Sequence, residues 1–247
     1  MTMTPSEKVN FISDWIKDYI NNMPNKAQSL VIGISGGIDS SVSSTLSAMT
    51  GLKTIVLSMP IKQKTYQHDL SLKHQDWLVK KFKNVEAHTI NLDELFSAFS
   101  SSLSKFDNEH GMANSRARLR MTTLYQVATA NNGIVIGTGN KVEDFGVGFY
   151  TKYGDGGVDI SPIADCNKSE VWEIGKSINI IQEIIDAAPT DGLWDDGRTD
   201  EGQLGLKYEE LEEAMNNINS INREKYEKIR KINLHKMEPI PVCKIPN

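Results

Sequence analysis

The sequence predicts an α/β protein with one open parallel sheet, helices on both faces of that sheet, and further helices at the C-terminus. Two observations support this prediction, namely the alternation of strand-like and helical segments and the length of the chain. Short apolar runs rich in β-branched residues alternate along the chain with longer segments of helical periodicity. Such alternation forms a parallel sheet with right-handed crossovers. The 247 residues suit one large domain of this class, so we predict that residues 1–247 fold as a single domain.

Composition and charge exclude several classes of function. The 27 basic and 32 acidic residues give a formal net charge of −5, without the basic footprint of a general nucleic-acid binder. No apolar run approaches the ~18 residues of a membrane span, and residues 1–7 lack a signal-peptide pattern. Cys166 and Cys243 match no zinc or redox spacing and are interpreted as reduced thiols. We expect a cytoplasmic protein that binds neither nucleic acid nor membranes.

The first elements are a helix, a strand and a second helix. Residues 4–7 form a capping box with proline at the first helical position, and apolar residues follow at helical spacing up to Pro24. Residues 30–34 are too short and too β-branched for a helix, so they predict a buried parallel strand. The next helix is predicted from Ile38 to Thr50, with Gly51 as its C-terminal cap.

The remaining elements continue the alternation. Further strands are predicted at 53–59, 85–90 and 134–136. Further helices are predicted at 65–83, after 91, after 111 up to 131, after 167, and twice within 208–236. Residues 100–109 suit either a mobile loop or a connector, and residues 195–201 are expected to be mobile. This arrangement is Rossmann-like, and ligands of such sheets bind beyond the carboxyl ends of the strands.

The turn after the first strand has the composition of a phosphate-binding loop. Residues 35–40 read Ser-Gly-Gly-Ile-Asp-Ser, and the glycines remove the Cβ atoms that would keep a ligand off the backbone. The free N–H groups of the following helix suit an anion. The loop matches neither the Walker A pattern nor a dinucleotide fingerprint. An acid beside a phosphate, here Asp39, requires an intervening cation such as Mg²⁺. The alternative is a simple Gly-Gly turn with a capping aspartate.

A second loop repeats this logic at the fourth strand. Residues 137–143 read Gly-Thr-Gly-Asn-Lys-Val-Glu, a small-residue turn that ends in an acid. Since both loops follow parallel strands, they should meet at one edge of the sheet. Asp39 and Glu143 could then share a metal ion while Thr138 donates to the nucleotide. The first loop resembles the pyrophosphate loop of the N-type ATP pyrophosphatases, which split ATP between its α and β phosphates.

Other segments supply further candidates for chemistry. Residues 149–162 contain too many glycines for a helix or strand, and they bring aromatic, cationic and acidic residues into a loop. The capping box at 167–170 places Lys168 at a helix N-terminus, where a cation is unfavourable unless an anion lies nearby. We therefore interpret Lys168 as facing phosphate. The arginines at 116, 118 and 120 alternate, so they point to different helix faces and one of them could enter a site.

Seven segments together resemble the ammonia-dependent NAD synthetases. They run in order through nearly the whole chain, from about residue 5 to 241, and read S-G-G-I-D-S, N-S-R-A-R-L-R-M, G-T-G-N-K-V-E, F-Y-T-K-Y-G-D-G-G-V-D, C-N-K-S-E, A-P-T-D-G-L and His235-Lys236. One departure is visible. The usual T-D-H-A-A-E turn is here T-G-N-K-V-E, and the segment from Glu143 to Lys152 is one residue longer.

This resemblance implies a set of site residues and an oligomeric state. The residues implied for ATP are Gly33, Ile34, Ser35, Gly36, Gly37, Ile38, Asp39, Ser40, Thr138, Lys168 and Thr190. Asp39 and Glu143 would bind Mg²⁺. The residues implied for deamido-NAD are Arg118, Lys152, Asp159, His235 and Lys236. From its local sequence alone, His235 would instead be interpreted as an ordinary helix-end histidine. The family also implies a homodimer.

The implied reaction is the ATP-dependent amidation of deamido-NAD by ammonia. ATP adenylates the nicotinate carboxylate and releases pyrophosphate, and ammonia then displaces AMP to give NAD. No Ser-His or Cys-His nucleophile is needed. Lys168 would stabilise charge on the departing pyrophosphate, together with Thr190 and the loop amides. Asp155 is either the group that deprotonates ammonium or only a turn-forming residue. A glutaminase would require a further domain, so we expect free ammonia or a separate donor protein.

Two other classes of function remain alternatives at the level of sequence. One is an ATP pyrophosphatase that acts on a different carboxylate or modifies tRNA, but such enzymes usually have paired cysteines or a basic surface. The other is a nucleotide-binding sensor without catalysis, which would not need Glu143, Lys168 and Thr190 together. Formation of AMP that depends on deamido-NAD separates the three possibilities.

Overall fold

The computed structural model describes residues 3–62, 65–190, 192–193 and 199–246. Within these ranges, four parallel strands form one sheet in the order β3-β2-β1-β4. The strands are β1 (Ser29–Gly33), β2 (Thr54–Ser58), β3 (Val85–Thr89) and β4 (Gly133–Val135). The predicted α/β class and its parallel sheet are therefore confirmed, and the carboxyl ends of all these strands share one edge.

Helices separate the strands and continue after them. Those that alternate with the strands are α1 (Pro5–Asn22), α2 (Ile38–Met49), α3 (Thr65–Lys81), α4 (Asp93–Ser102) and α5 (Glu109–Ala130). A π-helix (Lys141–Val147) follows β4. The later helices are α6 (Lys168–Ser177), α7 (Gln182–Ile185), α8 (Asp200–Leu204), α9 (Tyr208–Asn216) and α10 (Arg223–Met237).

The two faces of the sheet are covered by different helices. Leu30 and Ile32 of β1 belong to a buried cluster that includes side chains of α1, α2 and α6. Val31 points to the opposite face and packs in a second cluster with Phe96 of α4 and Ala128 of α5. Successive strand residues face opposite sides, so a strand covered on both faces is apolar throughout. This explains the continuous apolar run at 30–34.

One segment differs from the sequence prediction, a second decides between two predicted alternatives, and a third is only partly described. The fourth strand ends at Val135, and Ile136 instead forms an isolated parallel bridge with Ile160. Residues 100–109 are a connector rather than a loop: α4 continues to Ser102, a 3₁₀ turn follows, and Asn108 caps α5 by accepting the Gly111 N–H at 2.8 Å. Of the predicted mobile segment 195–201, residues 195–198 lie outside the described residues, and the remainder leads into α8.

Two further observations concern the length of the helices and the cysteines. In the ranges that the structure describes, no helix is both long and apolar enough to span a membrane. Cys166 is buried, Cys243 is exposed, and neither forms a disulfide.

A buried histidine between α2 and α3 gives the fold a predictable dependence on pH. His74 is fully buried, its Nε2 lies 3.0 Å from the Ser44 hydroxyl, and burial lowers the pKa of His74 to about 3. An unfolded histidine binds its proton near pH 6.5. Stability from the neutral side chain is therefore fully present above that value, and it is lost as the pH falls towards 3.

We expect His74 to lower the free energy of unfolding by about 2 kcal/mol when the pH falls from 7 to 5. Urea unfolding of the wild type and of His74→Gln at both pH values measures the effect, since other titrating groups are common to the two proteins. The expected result is that the loss on acidification is smaller in the variant by this amount. Equal losses in the two proteins would show that His74 does not control the acid response.

Candidate active site

The turn between β1 and α2 closes on itself through serine hydroxyls. Ser35 Oγ and Ser40 Oγ are 3.1 Å apart, and Ser40 Oγ also accepts the Ser35 N–H at 3.2 Å. The Gly37 N–H donates to Ser35 Oγ at 3.2 Å. Gly36 has φ +88°, a conformation that strains other residues. The loop is thereby shaped before any ligand arrives, and its helix N-terminus presents backbone donors to an anion.

A cavity of about 230 Å³ opens at the carboxyl edge of the sheet, beside this loop. Ligands of open α/β sheets bind at this edge. Residues from both predicted loops and from three later segments line it. The predicted residues among them are Gly33, Ile34, Ser35, Gly37, Ile38, Asp39, Ser40, Thr138, Glu143, Asp155, Lys168 and Thr190. The structure therefore brings together the predicted ATP and metal residues, Gly36 excepted.

Two acids and one lysine meet at the floor of this cavity, and we call them the acid–lysine cluster. Lys168 Nζ lies 2.5 Å from Asp39 Oδ2 and 2.8 Å from Glu143 Oε1. Lys168 is only 1% exposed, although it is the first residue of α6. A buried cation at a helix N-terminus requires nearby anions. The carboxylates of the two loops supply them, so one cation already bridges the two acids.

Two polar side chains hold the acids of the cluster in place. Asn140 Nδ2 donates to Asp39 Oδ1 at 3.1 Å, and Asn140 Oδ1 accepts the N–H groups of Val142 and Glu143 at 3.0 Å each. One buried amide thereby ties the first loop to the start of the π-helix. From the opposite side, the Tyr208 hydroxyl of α9 donates to Glu143 Oε1. Both acids are therefore fixed by neighbours as well as by the lysine.

Burial and charge oppose each other in the cluster. Burial lowers the pKa of Lys168, but the charges of Asp39 and Glu143 outweigh it and raise the pKa, so the lysine stays protonated. Burial raises the pKa of Glu143, but the charge of Lys168 and the hydrogen bonds that Glu143 accepts have the larger effect. The pKa of Glu143 is therefore below its ordinary value. At Asp39 burial is stronger than the lysine charge and raises the pKa. Two acids share one cation, so the cluster can accept more positive charge.

The donor set fits a magnesium ion that also contacts phosphate. In the parts of the chain that the structure describes, no group of three or more His, Cys, Asp or Glu side chains is placed to hold a metal. Mg²⁺ is usually bound through one or two carboxylates plus substrate phosphates, not by an all-protein cage. Asp39 and Glu143 already converge on one cation from the two loops. The residues present therefore suit metal bound together with a nucleotide.

The five residues predicted for the dinucleotide lie outside the lining of this cavity. Arg118 donates through Nε to the Lys152 carbonyl at 3.3 Å. Asp159 accepts the Val135 N–H at 2.7 Å and the Tyr125 hydroxyl at 3.1 Å, which caps the end of β4. The Lys236 ammonium donates to the Tyr150 carbonyl at 2.7 Å, and its neighbour His235 is exposed. Lys152 and Asp159 thus belong to the 149–162 loop, and Arg118 and Lys236 donate to its backbone.

Four residues at the site were not predicted from the sequence. Arg120, not Arg118, is the arginine that lines the cavity, and its Nε donates to the Met59 carbonyl at 3.0 Å. Asn140 was visible as a capping residue three positions before Glu143. Asp144, the residue after Glu143, also lines the cavity. No local sequence pattern indicates that Tyr208 of α9 contacts Glu143, which lies 65 positions earlier in the chain.

A second cavity of about 170 Å³ shares a wall with the first. Gly137, Gly139, Asp144, Asp155 and Val158 line both cavities. Gly139 lies so close to Asp144 that position 139 has no room for a side chain: a Cβ there would lie 1.8 Å from Asp144 Oδ2. Burial raises the pKa of Asp144 well above its ordinary value, and the nearby acids add to this effect.

Fold and site together define a nucleotide-binding α/β protein with a phosphate loop and a cation-binding pair of acids. The match of residues 8–245 to the NAD synthase model places the chain more narrowly. The chain belongs to the NAD synthase family. The family predicted from seven sequence motifs is therefore confirmed.

Individual relatives agree with this placement. NH(3)-dependent NAD(+) synthetase from Carboxydothermus hydrogenoformans is 35% identical over 220 residues, which cover 87% of each chain. NMN synthetase from Francisella tularensis is 34% identical, with a TM-score of 0.88 and complete coverage of both chains. The NH3-dependent NAD synthetase from Campylobacter jejuni covers 98% of this chain and 100% of its own, with 24% identity and a TM-score of 0.79. The last likeness shows the fold alone.

Proposed function

We propose that this chain is an ATP-dependent ligase that amidates deamido-NAD with ammonia and releases AMP and pyrophosphate. One observation carries the proposal beyond family membership: the acid–lysine cluster and the phosphate loop line the same cavity at the sheet edge. A sensor that only bound nucleotide would have no use for a buried lysine bridging two acids. A tRNA-modifying pyrophosphatase is disfavoured by the NAD synthase match.

The proposed reaction has two steps. In the first, a nicotinate oxygen attacks the α-phosphorus of ATP, and the bond to the β-phosphate oxygen breaks to release pyrophosphate. In the second, ammonia attacks the acyl carbon, AMP leaves with the electron pair of the broken C–O bond, and one proton is lost. Both steps place negative charge on a leaving phosphate. Preorganised donors and cations therefore stabilise both transition states.

Each part of the cavity has a proposed role in these steps. The amides and hydroxyls of residues 33–40, with Thr138 and Thr190, would bind the triphosphate. Mg²⁺, held by Asp39 and Glu143, would neutralise phosphate charge when bound. Lys168 would pair with the departing pyrophosphate. These roles are supported by convergence on one cavity.

The contacts of the second substrate, the assembly and the location are further proposals, drawn from what the family resemblance implies. Arg118, Lys152, Asp159, His235 and Lys236 are proposed contacts of deamido-NAD, around the loop that carries Asp155. A homodimer is supported by an aromatic face on α1, where Phe11, Trp15 and Tyr19 are 58%, 40% and 41% exposed. The molecular mass of the protein in solution would test the proposed homodimer. We also propose a cytoplasmic location, in keeping with its free cysteines.

The direct test is a reaction containing ATP, deamido-NAD, Mg²⁺ and ammonium, with NAD and AMP measured as products. We expect equal amounts of both products, and no AMP when deamido-NAD is omitted. AMP formed without the acid would indicate a different ATP pyrophosphatase. Absence of AMP under all conditions would indicate a binding protein.

A second candidate substrate is the corresponding mononucleotide, which carries the same nicotinate carboxylate on a shorter nucleotide. One relative, NMN synthetase from Francisella tularensis, is named for a mononucleotide product, and its match covers both chains completely. The residues expected to bind the longer dinucleotide do not line the cavity, and Asp159 and Lys236 use polar atoms on neighbouring backbone. Comparison of kcat/KM for the two acids under identical ATP and ammonium concentrations identifies the preferred substrate.

Asp155→Asn tests the proposed proton acceptor for ammonium. Asp155 Oδ1 accepts the Thr151 N–H at 3.0 Å, and asparagine retains this acceptor, so the turn should keep its shape. We expect kcat/KM for ammonium to fall by about 100-fold because general bases commonly contribute this much. Exchange of labelled pyrophosphate into ATP should continue, since adenylation precedes the proton transfer.

A matched control is Asp165→Asn, whose wild-type carboxylate is 96% exposed and pairs with Lys141 on the surface. This variant should retain wild-type turnover. If Asp155→Asn also turned over normally with ammonia, Asp155 would be a turn residue and not part of the mechanism.

A further inference from the structure

Lys168 occupies the position that the proposed function assigns to a metal ion. Its ammonium makes contacts of 2.5 and 2.8 Å with one oxygen of Asp39 and one of Glu143. These are the carboxylates proposed to hold Mg²⁺. A divalent cation cannot bind both oxygens while the ammonium remains on them, because like charges repel at such distances. The lysine and the metal therefore compete for the same two acids.

The side chains around Lys168 enclose its ammonium where it contacts the two acids. The ammonium lies 4.8 Å from the ring centre of Tyr208 and 5.8 Å from that of Trp172, so aromatic faces complete its enclosure. The Lys168 side chain is 2% exposed, while those of Asp39 and Glu143 are 18% and 14% exposed. All three side chains line the cavity, and the two acids are more accessible to solvent than the lysine. Only a strong attraction draws a cation out of such a position.

The triphosphate supplies such an attraction. Both Lys168 and the phosphate loop line the cavity proposed for ATP. A bound triphosphate offers the ammonium several anionic oxygens in place of two carboxylates. Once the lysine turns to phosphate, the acids carry uncompensated charge next to the same phosphates. That arrangement is the one that Mg²⁺ binds.

We propose that Lys168 reserves the metal position in the ligand-free enzyme and gives it up when ATP binds. Metal binding is then coupled to nucleotide binding, and the coupling acts equally in both directions. The ligand-free protein has low affinity for a divalent cation by itself. The lysine also keeps the two buried acids from repelling each other before ATP arrives. This inference rests on the proposed function, since that function names the two acids as metal ligands.

The test measures Mn²⁺ binding without nucleotide, by water-proton relaxation, in folded wild type and variants. Lys168→Gln removes the charge but retains polar contact with both acids. We expect this variant to bind Mn²⁺ at least about tenfold more tightly than the wild type, as expected when a coupled competitor is removed. Asp39→Asn/Lys168→Gln should lose that gain. Lys73→Gln, which removes an exposed lysine paired with Glu183, should behave as the wild type.

A second measurement needs no variant. Wild-type protein should bind Mn²⁺ far more tightly in the presence of α,β-methylene-ATP, an analogue that cannot be split between its α and β phosphates. Equal Mn²⁺ affinity with and without the analogue would overturn the inference, as would equal affinity of the wild type and Lys168→Gln without nucleotide. The proposed function is judged separately by formation of NAD and AMP in the wild type. A wild type that forms both products but fails the Mn²⁺ tests loses only this inference.

Discussion

Replacing Lys168 with methionine is expected to reduce the rate of AMP formation by about a thousandfold. The loss of one preorganised charge that stabilises a transition state commonly costs 10²–10³ in rate. Here the variant also leaves Asp39 and Glu143 facing each other without their shared cation. Steady-state production of AMP at saturating ATP and deamido-NAD measures the effect. Methionine retains a stem of four heavy atoms beside Trp172 and lacks only the ammonium group.

Lys73→Met is the matched control because it removes an exposed lysine that pairs with Glu183 on the surface. Its turnover should equal that of the wild type. If Lys168→Met retained more than about a tenth of wild-type turnover, one buried cation would supply too little stabilisation for the proposed role. The conservative Lys168→Arg should recover little activity, since the larger guanidinium cannot fit a site that is almost fully enclosed.

Glu143→Gln is expected to reduce turnover by about 10²–10³-fold. Glutamine preserves the size of the side chain and can accept the hydrogen bond of the Tyr208 hydroxyl. It cannot supply the negative charge that Lys168 and a metal ion require. We expect a larger apparent Mg²⁺ requirement as well as a lower maximal rate. Titration of AMP formation with Mg²⁺ measures both quantities.

Glu183→Gln serves as the control for this charge, because Glu183 is exposed and pairs only with Lys73 among the ion pairs described for it. It should leave both quantities unchanged. A Glu143→Gln enzyme with wild-type rate and wild-type Mg²⁺ dependence would remove Glu143 from the metal site. Asp39 would then have to bind the ion with phosphate oxygens alone.

Local patterns in the sequence predict the sheet and the meeting of its loops. The strands at 30–34, 53–59 and 85–90 are predicted from short apolar or β-branched runs, and the structure has a strand that overlaps each of these ranges. Parallel topology then brings the ends of β1 and β4 to one edge without further information. The convergence of Asp39 and Glu143 on a single cation follows from that topology.

The remaining features depend on how elements dock, which local patterns do not encode. Alternation shows that Arg116, Arg118 and Arg120 point to different faces of α5. Which of them enters the cavity depends on how α5 rotates against the sheet, and that rotation selects Arg120. The position of Tyr208 depends on the path of the chain through α8 and α9. The sequence predicts that Lys168 faces phosphate, and only the packing of α6 against the two loops shows that its ammonium also contacts both acids.

The π-helix at Lys141–Val147 has a consequence for how this enzyme can change in evolution. A turn that closes over five residues rather than four takes up one extra residue without lengthening the path between its ends. A residue inserted into such a turn can therefore add a side chain to the cavity wall, where Asp144 lies, while Glu143 and the loop after Gly148 keep their places. A deletion of one residue here would restore an ordinary helical turn, so the wall of the catalytic cavity can be remodelled by a change in length rather than by substitution.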